Sequence, residues 1–178
     1  EHSFPTRRSS DLLAKRVGRY YTQGMAEDTS ALSAGVFDDG LFRNQSLEVL
    51  RESWRIYESE LPRFKEGLFF FYFSCLDQNS HAFWRTIDTK HPLYTAELAA
   101  AHGDYLPWLY GEMDRALGLA LQGCDDQTLL FAISDHGFSS FRRQFNLNSW
   151  LLESGYATLA PGADREGDFF SDIKWGET

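Results

Sequence analysis

The segment QTLLFAISDHGF, Gln127–Phe138, decides the fold that the sequence predicts. Thr128–Ser134 is a short apolar run without helical spacing, which is typical of a strand buried on both faces. The run ends in Asp135 and His136, and the next residue, Gly137, lets the backbone turn sharply. Both side chains could then converge on one ion at the carboxyl end of the strand, where open α/β sheets bind their ligands. An Asp that caps a helix beside a loop histidine is an equally weighted alternative for this pair alone.

A second segment of the same design lies upstream, in GLFFFYFSCLDQNSH, Gly67–His81. Leu68–Leu76 is nearly all apolar and aromatic, and it predicts a second buried strand. An acid, Asp77, follows it, and His81 comes four residues later. If a helix begins at Gln78, this spacing places the two side chains near one face. For this pair alone, an Asp N-cap and a surface histidine are the favoured interpretation.

Two buried strands joined through a helix predict a βαβ unit with parallel strands and a right-handed crossover. The expected fold class is therefore α/β, with a central, largely parallel sheet flanked by helices. In that fold Asp77, His81, Asp135 and His136 would meet in one crevice. Carboxylate oxygens and imidazole nitrogens are ligands for zinc or manganese, and four of them are more than one catalytic zinc needs. Two metal ions in one crevice suit in-line displacement at phosphorus.

Composition limits the remaining possibilities. At 178 residues the chain is about one domain long, with enough apolar residues (43%) for a core. The formal charge of −9 argues against non-specific nucleic-acid binding, which needs a basic face. No apolar run approaches the ~20 residues of a membrane span. The two cysteines, Cys75 and Cys124, form neither a disulfide framework nor a metal knuckle. Compartment and oligomeric state stay open.

Helical spacing predicts two further elements. One helix starts at Ser46, which can cap it, and ends near Pro62. The other covers Pro92–Gln122, with a break or kink near Gly103 and Pro107. A shorter helix is expected after Asn148. By contrast, residues 1–12, EHSFPTRRSSDL, have little periodicity and resemble a translated sequencing adapter, so we treat them as a non-native leader ahead of a domain at 13–178.

Three motifs together resemble the alkaline phosphatase superfamily. They are YYTQGMxEDTxAL at residues 20–32, FYFSxLDQxSHxFWR at 71–85 and DHGF at 135–138. The closest branch comprises the type I phosphodiesterase/nucleotide pyrophosphatase proteins and related predicted phosphohydrolases and phosphomutases. The resemblance implies a sheet flanked by helices and two divalent metal ions, usually zinc, with manganese possible. It assigns Asp77 and His81 to one ion and Asp135 and His136 to the other. The implied partner is a small phosphorylated substrate.

The same resemblance implies that parts of the family site are not in this chain. The nucleophilic Ser or Thr and an Asp are expected upstream, and a third histidine downstream, so residues 13–178 would be a partial catalytic domain that is inactive alone. Ser80 stands where nucleotide pyrophosphatases usually have Gly, and Phe138 where many members have Met. These departures leave the substrate open. Sulfate-ester hydrolysis, phosphosugar mutase chemistry and a non-catalytic domain whose acids only cap helices are the alternatives.

Overall fold

Helices dominate the computed structural model, which describes residues 8–140, 142–163 and 172–177. In chain order these residues form α1 (Arg8–Val17), α2 (Thr29–Ser33), α3 (Asp39–Glu60), α4 (Cys75–Phe83), α5 (Ala96–His102), α6 (Tyr105–Gln122) and α7 (Leu147–Glu153), with 3₁₀ turns at Leu61–Arg63, Trp84–Thr86 and Trp175–Glu177. The chain divides into two units, Glu1–Ser140 and Phe141–Thr178. Among the helices of the described residues, none combines the length and the apolar character needed to cross a membrane.

The first unit is built on α3. The predicted helix is confirmed, but it begins at Asp39 because the side chain of Asp38 accepts the backbone N–H of Leu41 at 2.7 Å and caps it. Ser46, the predicted cap, lies inside the helix and is fully buried. The predicted break near Gly103 is also confirmed, since α5 ends at His102 and α6 starts at Tyr105. Pro107 lies in the first turn of α6, where a proline costs no helical hydrogen bond.

The core of this unit lies where α3, α4 and α6 pack against one another. Its buried side chains are Phe42, Leu50, Trp54, Tyr57, Cys75, Phe83, Tyr105, Leu106, Leu109 and Ala116. The Tyr57 hydroxyl donates to the backbone oxygen of Ala116 at 2.8 Å, which ties α3 to α6 inside the core. The guanidinium of Arg115 lies 4.0 Å from the centre of the Trp54 ring, a cation–π contact at the edge of the same interface.

The predicted strand Leu68–Leu76 is not a strand. Residues 68–74 have no regular secondary structure, and the last two residues of the prediction start α4. The segment nevertheless keeps a period of two. Phe69, Phe71 and Phe73 pack against the core, whereas Leu68, Phe70 and Tyr72 are exposed. Tyr57 receives the three inward rings, at centroid distances of 6.2, 5.0 and 5.3 Å. Alternation is thus present, but burial on both faces is not.

The second predicted strand, Thr128–Ser134, is also wrong. Its apolar residues Leu129, Phe131 and Ile133 are 84%, 76% and 81% exposed, and no ladder hydrogen bonds join it to another described segment. A strand needs a partner for its backbone N–H and C=O groups, and the described residues supply none. The predicted α/β class, with its parallel sheet and βαβ crossover, is therefore corrected: the described part of the chain is helical and contains no strand.

The second unit contains α7 and one isolated bridge. The expected short helix is present, but its cap is Asn146, whose side chain accepts from Ser149 N at 3.1 Å, and not Asn148. Gly155, at φ 75°, follows the helix in the left-handed conformation that ends many helices. Leu159 and Ile173 form an antiparallel bridge.

Candidate metal centre

Asp77 and His81 are placed by α4. The helix starts at Cys75, so Asp77 lies in its first turn, where a carboxylate is favoured by the helix dipole. A spacing of four residues along a helix brings two side chains onto one face. Accordingly, His81 Nε2 lies 3.6 Å from Asp77 Oδ1. The predicted relation between these two residues is present, although the helix begins three residues earlier than Gln78.

Asp135 and His136 reach the same place from a segment without regular structure. The next aromatic residue, Phe138, fixes this segment against α4, with its ring 4.9 Å from His81 and 5.1 Å from Trp84. His136 Nε2 then lies 3.7 Å from Asp77 Oδ1 and 3.7 Å from Asp135 Oδ2. The structure therefore brings all four predicted residues together without the sheet that was expected to do so.

A backbone contact orients the His136 ring. Its Nδ1 lies 2.9 Å from the backbone oxygen of Gly137. Because a carbonyl can only accept, Nδ1 carries the proton, and Nε2 presents its lone pair toward Asp77 in the neutral ring. This is the arrangement in which histidines bind metals, with the other nitrogen held by a carbonyl. The hydrogen bond to Gly137, followed by the charges of Asp135 and Asp77, raises the pKa of His136 above its ordinary value.

Asp77 supplies the central oxygen of this cluster. Its Oδ2 accepts from the Gln78 side chain at 3.1 Å, whereas its Oδ1 is shielded from solvent and has no hydrogen-bond partner among the residues that the structure describes. A buried carboxylate oxygen without a partner is costly, unless a positive charge or a metal ion satisfies it. Here the oxygen faces two imidazole nitrogens that come from separate segments of the chain.

The donor atoms suit a divalent ion by type. Carboxylate oxygen and imidazole nitrogen are the common zinc donors, and both also bind manganese. As the side chains stand, no group of three or more His, Cys, Asp or Glu within residues 8–140, 142–163 and 172–177 already encloses a position for an ion. The side chains of His81, His136 and Asp135 are 64%, 54% and 88% exposed, so they can adjust without disturbing the core.

Glu27, which the sequence analysis did not select as a site residue, lies close to the start of α4. It precedes α2, and only 7% of the residue is exposed. Its Oε2 accepts from the Ser74 hydroxyl at 3.5 Å, just ahead of the helix that carries Asp77. Burial raises the pKa of Glu27, and the charge of Asp77 raises it further, against the opposing effect of its hydrogen bonds. Asp28 caps α2 through Ala31 N, so Glu27 has no capping role. Its place in the first of the three motifs, residues 20–32, was the signal that the sequence offered.

Comparison with known proteins identifies the family of the chain. The family model of type I phosphodiesterase/nucleotide pyrophosphatase matches residues 13–173. The chain belongs to this family, and with it to the alkaline phosphatase superfamily, as the three motifs indicated. Proteins of this family are hydrolases of the phosphodiesterase and pyrophosphatase type and are typically metal-dependent. Comparison with curated proteins and with solved structures gave no significant match.

Proposed function

We propose that this chain carries part of a metal-dependent phosphoesterase site, in which Asp77, His81, Asp135 and His136 bind divalent ions, zinc or manganese. The observation that supports the proposal most directly is the unpartnered Oδ1 of Asp77, which faces two imidazole nitrogens. Family membership supports a phosphate ester as the reacting group. When bound, such ions would neutralise the charge on the phosphoryl oxygens.

The proposed metal ligands would come from two parts of the chain, α4 and the segment around His136. α4 would fix the backbone positions of Asp77 and His81, since Cys75, Asn79 and Ser80 of the same helix are buried, while the exposed side chain of His81 could still adjust. The segment around His136 is held mainly by Phe138, and would supply the more adjustable half. We propose two ions, with Asp77 and His81 serving one and Asp135 and His136 the other, and a small phosphorylated substrate. The negative charge of the chain is compatible with such a substrate once ions are bound.

Metal binding is tested by a thermal melt with and without added zinc or manganese, together with metal analysis of the purified chain. A ligand that binds only the native state raises its melting temperature by mass action. We expect a clear rise for the wild type, and none for the His81→Ala, His136→Ala double variant. His91→Ala is the matched control, because that histidine accepts from Leu93 N in a surface turn and should leave the rise unchanged. A rise that persists in the double variant would place the metal elsewhere and favour a non-catalytic role for the four residues.

Activity requires a nucleophile in line with the leaving group, and such positioning contributes ~7–11 kcal/mol. Three of the hydroxyls described near the cluster already donate hydrogen bonds. Ser74 donates to Glu27, Ser134 to the backbone oxygen of His136 at 2.6 Å, and Ser140 to Asp88. We therefore expect the 178-residue chain to hydrolyse an aryl phosphodiester at or near the background rate. Rapid hydrolysis that a chelator abolishes would show that one of its own groups attacks phosphorus.

A further inference from the structure

Glu27 is held in place from several directions. Gln45 of α3 donates to the backbone oxygen of Ala26 at 2.9 Å and accepts from the backbone N–H of Asp28 at 3.1 Å, so one side chain clamps the residues on both sides of Glu27. The Ser74 hydroxyl then reaches Oε2 of the buried carboxylate. The Glu27 side chain is therefore shielded from solvent and its position is fixed by polar contacts on both sides.

The second carboxylate oxygen of Glu27, Oε1, is shielded from solvent. Within the described residues it has no hydrogen-bond partner. Asp77 lies three residues after Ser74, in the first turn of α4. Its Oδ1 faces His81 and His136 at 3.6 and 3.7 Å, and within the described residues it also has no hydrogen-bond partner. A protonated Glu27 would need an acceptor for its O–H, and an ionised one would need a positive charge, because buried charges are stable only when they are paired.

Glu52 shows what a satisfied glutamate looks like in this chain. It is as deeply buried as Glu27, at 7% exposed. Its Oε1 accepts from the backbone N–H of Tyr21 at 3.2 Å, and its Oε2 lies 3.7 Å from the guanidinium of Arg55. Glu27 has no comparable cation among the interactions of the described residues. Glu27 and Glu52 are equally buried, so they differ in that only Glu52 lies beside a described positive charge.

We propose that Glu27 is a fifth member of the cation site and that its free carboxylate oxygen serves, together with Asp77, a divalent metal ion bound beside the first turn of α4. This inference rests on the proposed metal site and adds to it a residue from outside the Asp-x-x-x-His and Asp-His motifs. The two unpartnered oxygens, one on each carboxylate, are what a cation would satisfy. Glu27 thereby links residues 20–32, which carry the first of the three motifs, to the chemistry of the other two.

The test uses the 178-residue chain and manganese alone, with affinity measured by isothermal titration calorimetry. Glu27→Gln keeps the shape of the side chain and removes its charge. Loss of a residue that supports a metal site typically lowers metal affinity roughly 10–100-fold, and we expect Glu27→Gln to fall in this range. Glu52→Gln is the matched control and should stay within about twofold of the wild type, because its carboxylate belongs to a different contact. Asp77→Asn serves as the positive control, because the proposed metal site predicts that this variant loses manganese affinity.

A second readout separates a metal-binding role from a structural one. In metal-free buffer, Glu27→Gln should melt at or above the wild-type temperature, since it removes a buried charge without a counter-charge, whereas Glu52→Gln should melt lower. A Glu27→Gln variant that is unfolded without metal, or that keeps wild-type manganese affinity while Asp77→Asn loses it, overturns the inference and leaves the proposed function intact. A wild-type chain that binds no manganese and no zinc overturns both.

Discussion

Replacing Phe71 by Ala should destabilise the chain far more than replacing its neighbour Phe70. The two residues are the same type and adjacent, but they face opposite ways. The Phe71 ring lies 5.0 Å from Tyr57, 4.8 Å from Phe73 and 6.3 Å from Phe69, between ring centroids. Phe70 is 73% exposed. The two variants remove the same atoms, so any difference in stability between them reports on the two faces of residues 68–74.

The expected loss of unfolding free energy follows from how deeply each ring is buried. Phe→Ala in a full core costs about 3–5 kcal/mol, and Phe71 is only partly buried, so we expect roughly 2 kcal/mol for Phe71→Ala. At ~2–4 °C per kcal/mol for a chain of this length, the melting temperature should fall by about 4–8 °C. Phe70→Ala should stay within about 0.5 kcal/mol of the wild type, as surface substitutions usually do.

Urea unfolding followed by tryptophan fluorescence measures both variants. Trp54 lies in the core, 5.7 Å from Phe73 between ring centroids, so its emission reports on this contact directly. Equal costs for Phe70→Ala and Phe71→Ala would refute the reasoning. That result would mean that both faces of residues 68–73 are buried, as in the parallel sheet that the sequence predicted.

Three further predictions concern the first unit. Tyr57→Phe removes only the hydroxyl that donates to Ala116 O, so it should cost about 1 kcal/mol in urea unfolding; a neutral result would mean that the hydroxyl is hydrated. Burial raises the pKa of the Cys75 thiol from its ordinary value of 9.0 to about 12. Because the unfolded chain loses this proton first, stability should be unaffected below pH 9 and fall progressively between pH 9 and 12. In Cys75→Ala that fall should be shallower in pH-dependent melts. In the native state at pH 8, Cys124, which is partly exposed, should react with iodoacetamide well before Cys75.

The sequence by itself determined most of α3, the break between α5 and α6, and the presence of α7. Apolar spacing was sufficient for the body of α3, because the hydrogen bonds of a helix lie within the segment that forms it. The predicted cap, Ser46, was wrong, and the helix begins at Asp39. The spacing of Asp77 and His81 carries the same kind of information, since four residues along any helix bring two side chains onto one face. Family membership was likewise readable from motifs, and the family match confirms it.

The tertiary structure decided what depends on partners distant in the chain. An apolar run such as Thr128–Ser134 has the composition of a strand, but a strand exists only where another segment accepts its backbone hydrogen bonds, and the described residues provide none. The contact between Asp77 and His136 depends on Phe138 packing against α4. Burial of Glu27 depends on Gln45 and Ser74, which lie on other segments. Such contacts are decided by which surfaces pack together, and no spacing within a single segment encodes that choice.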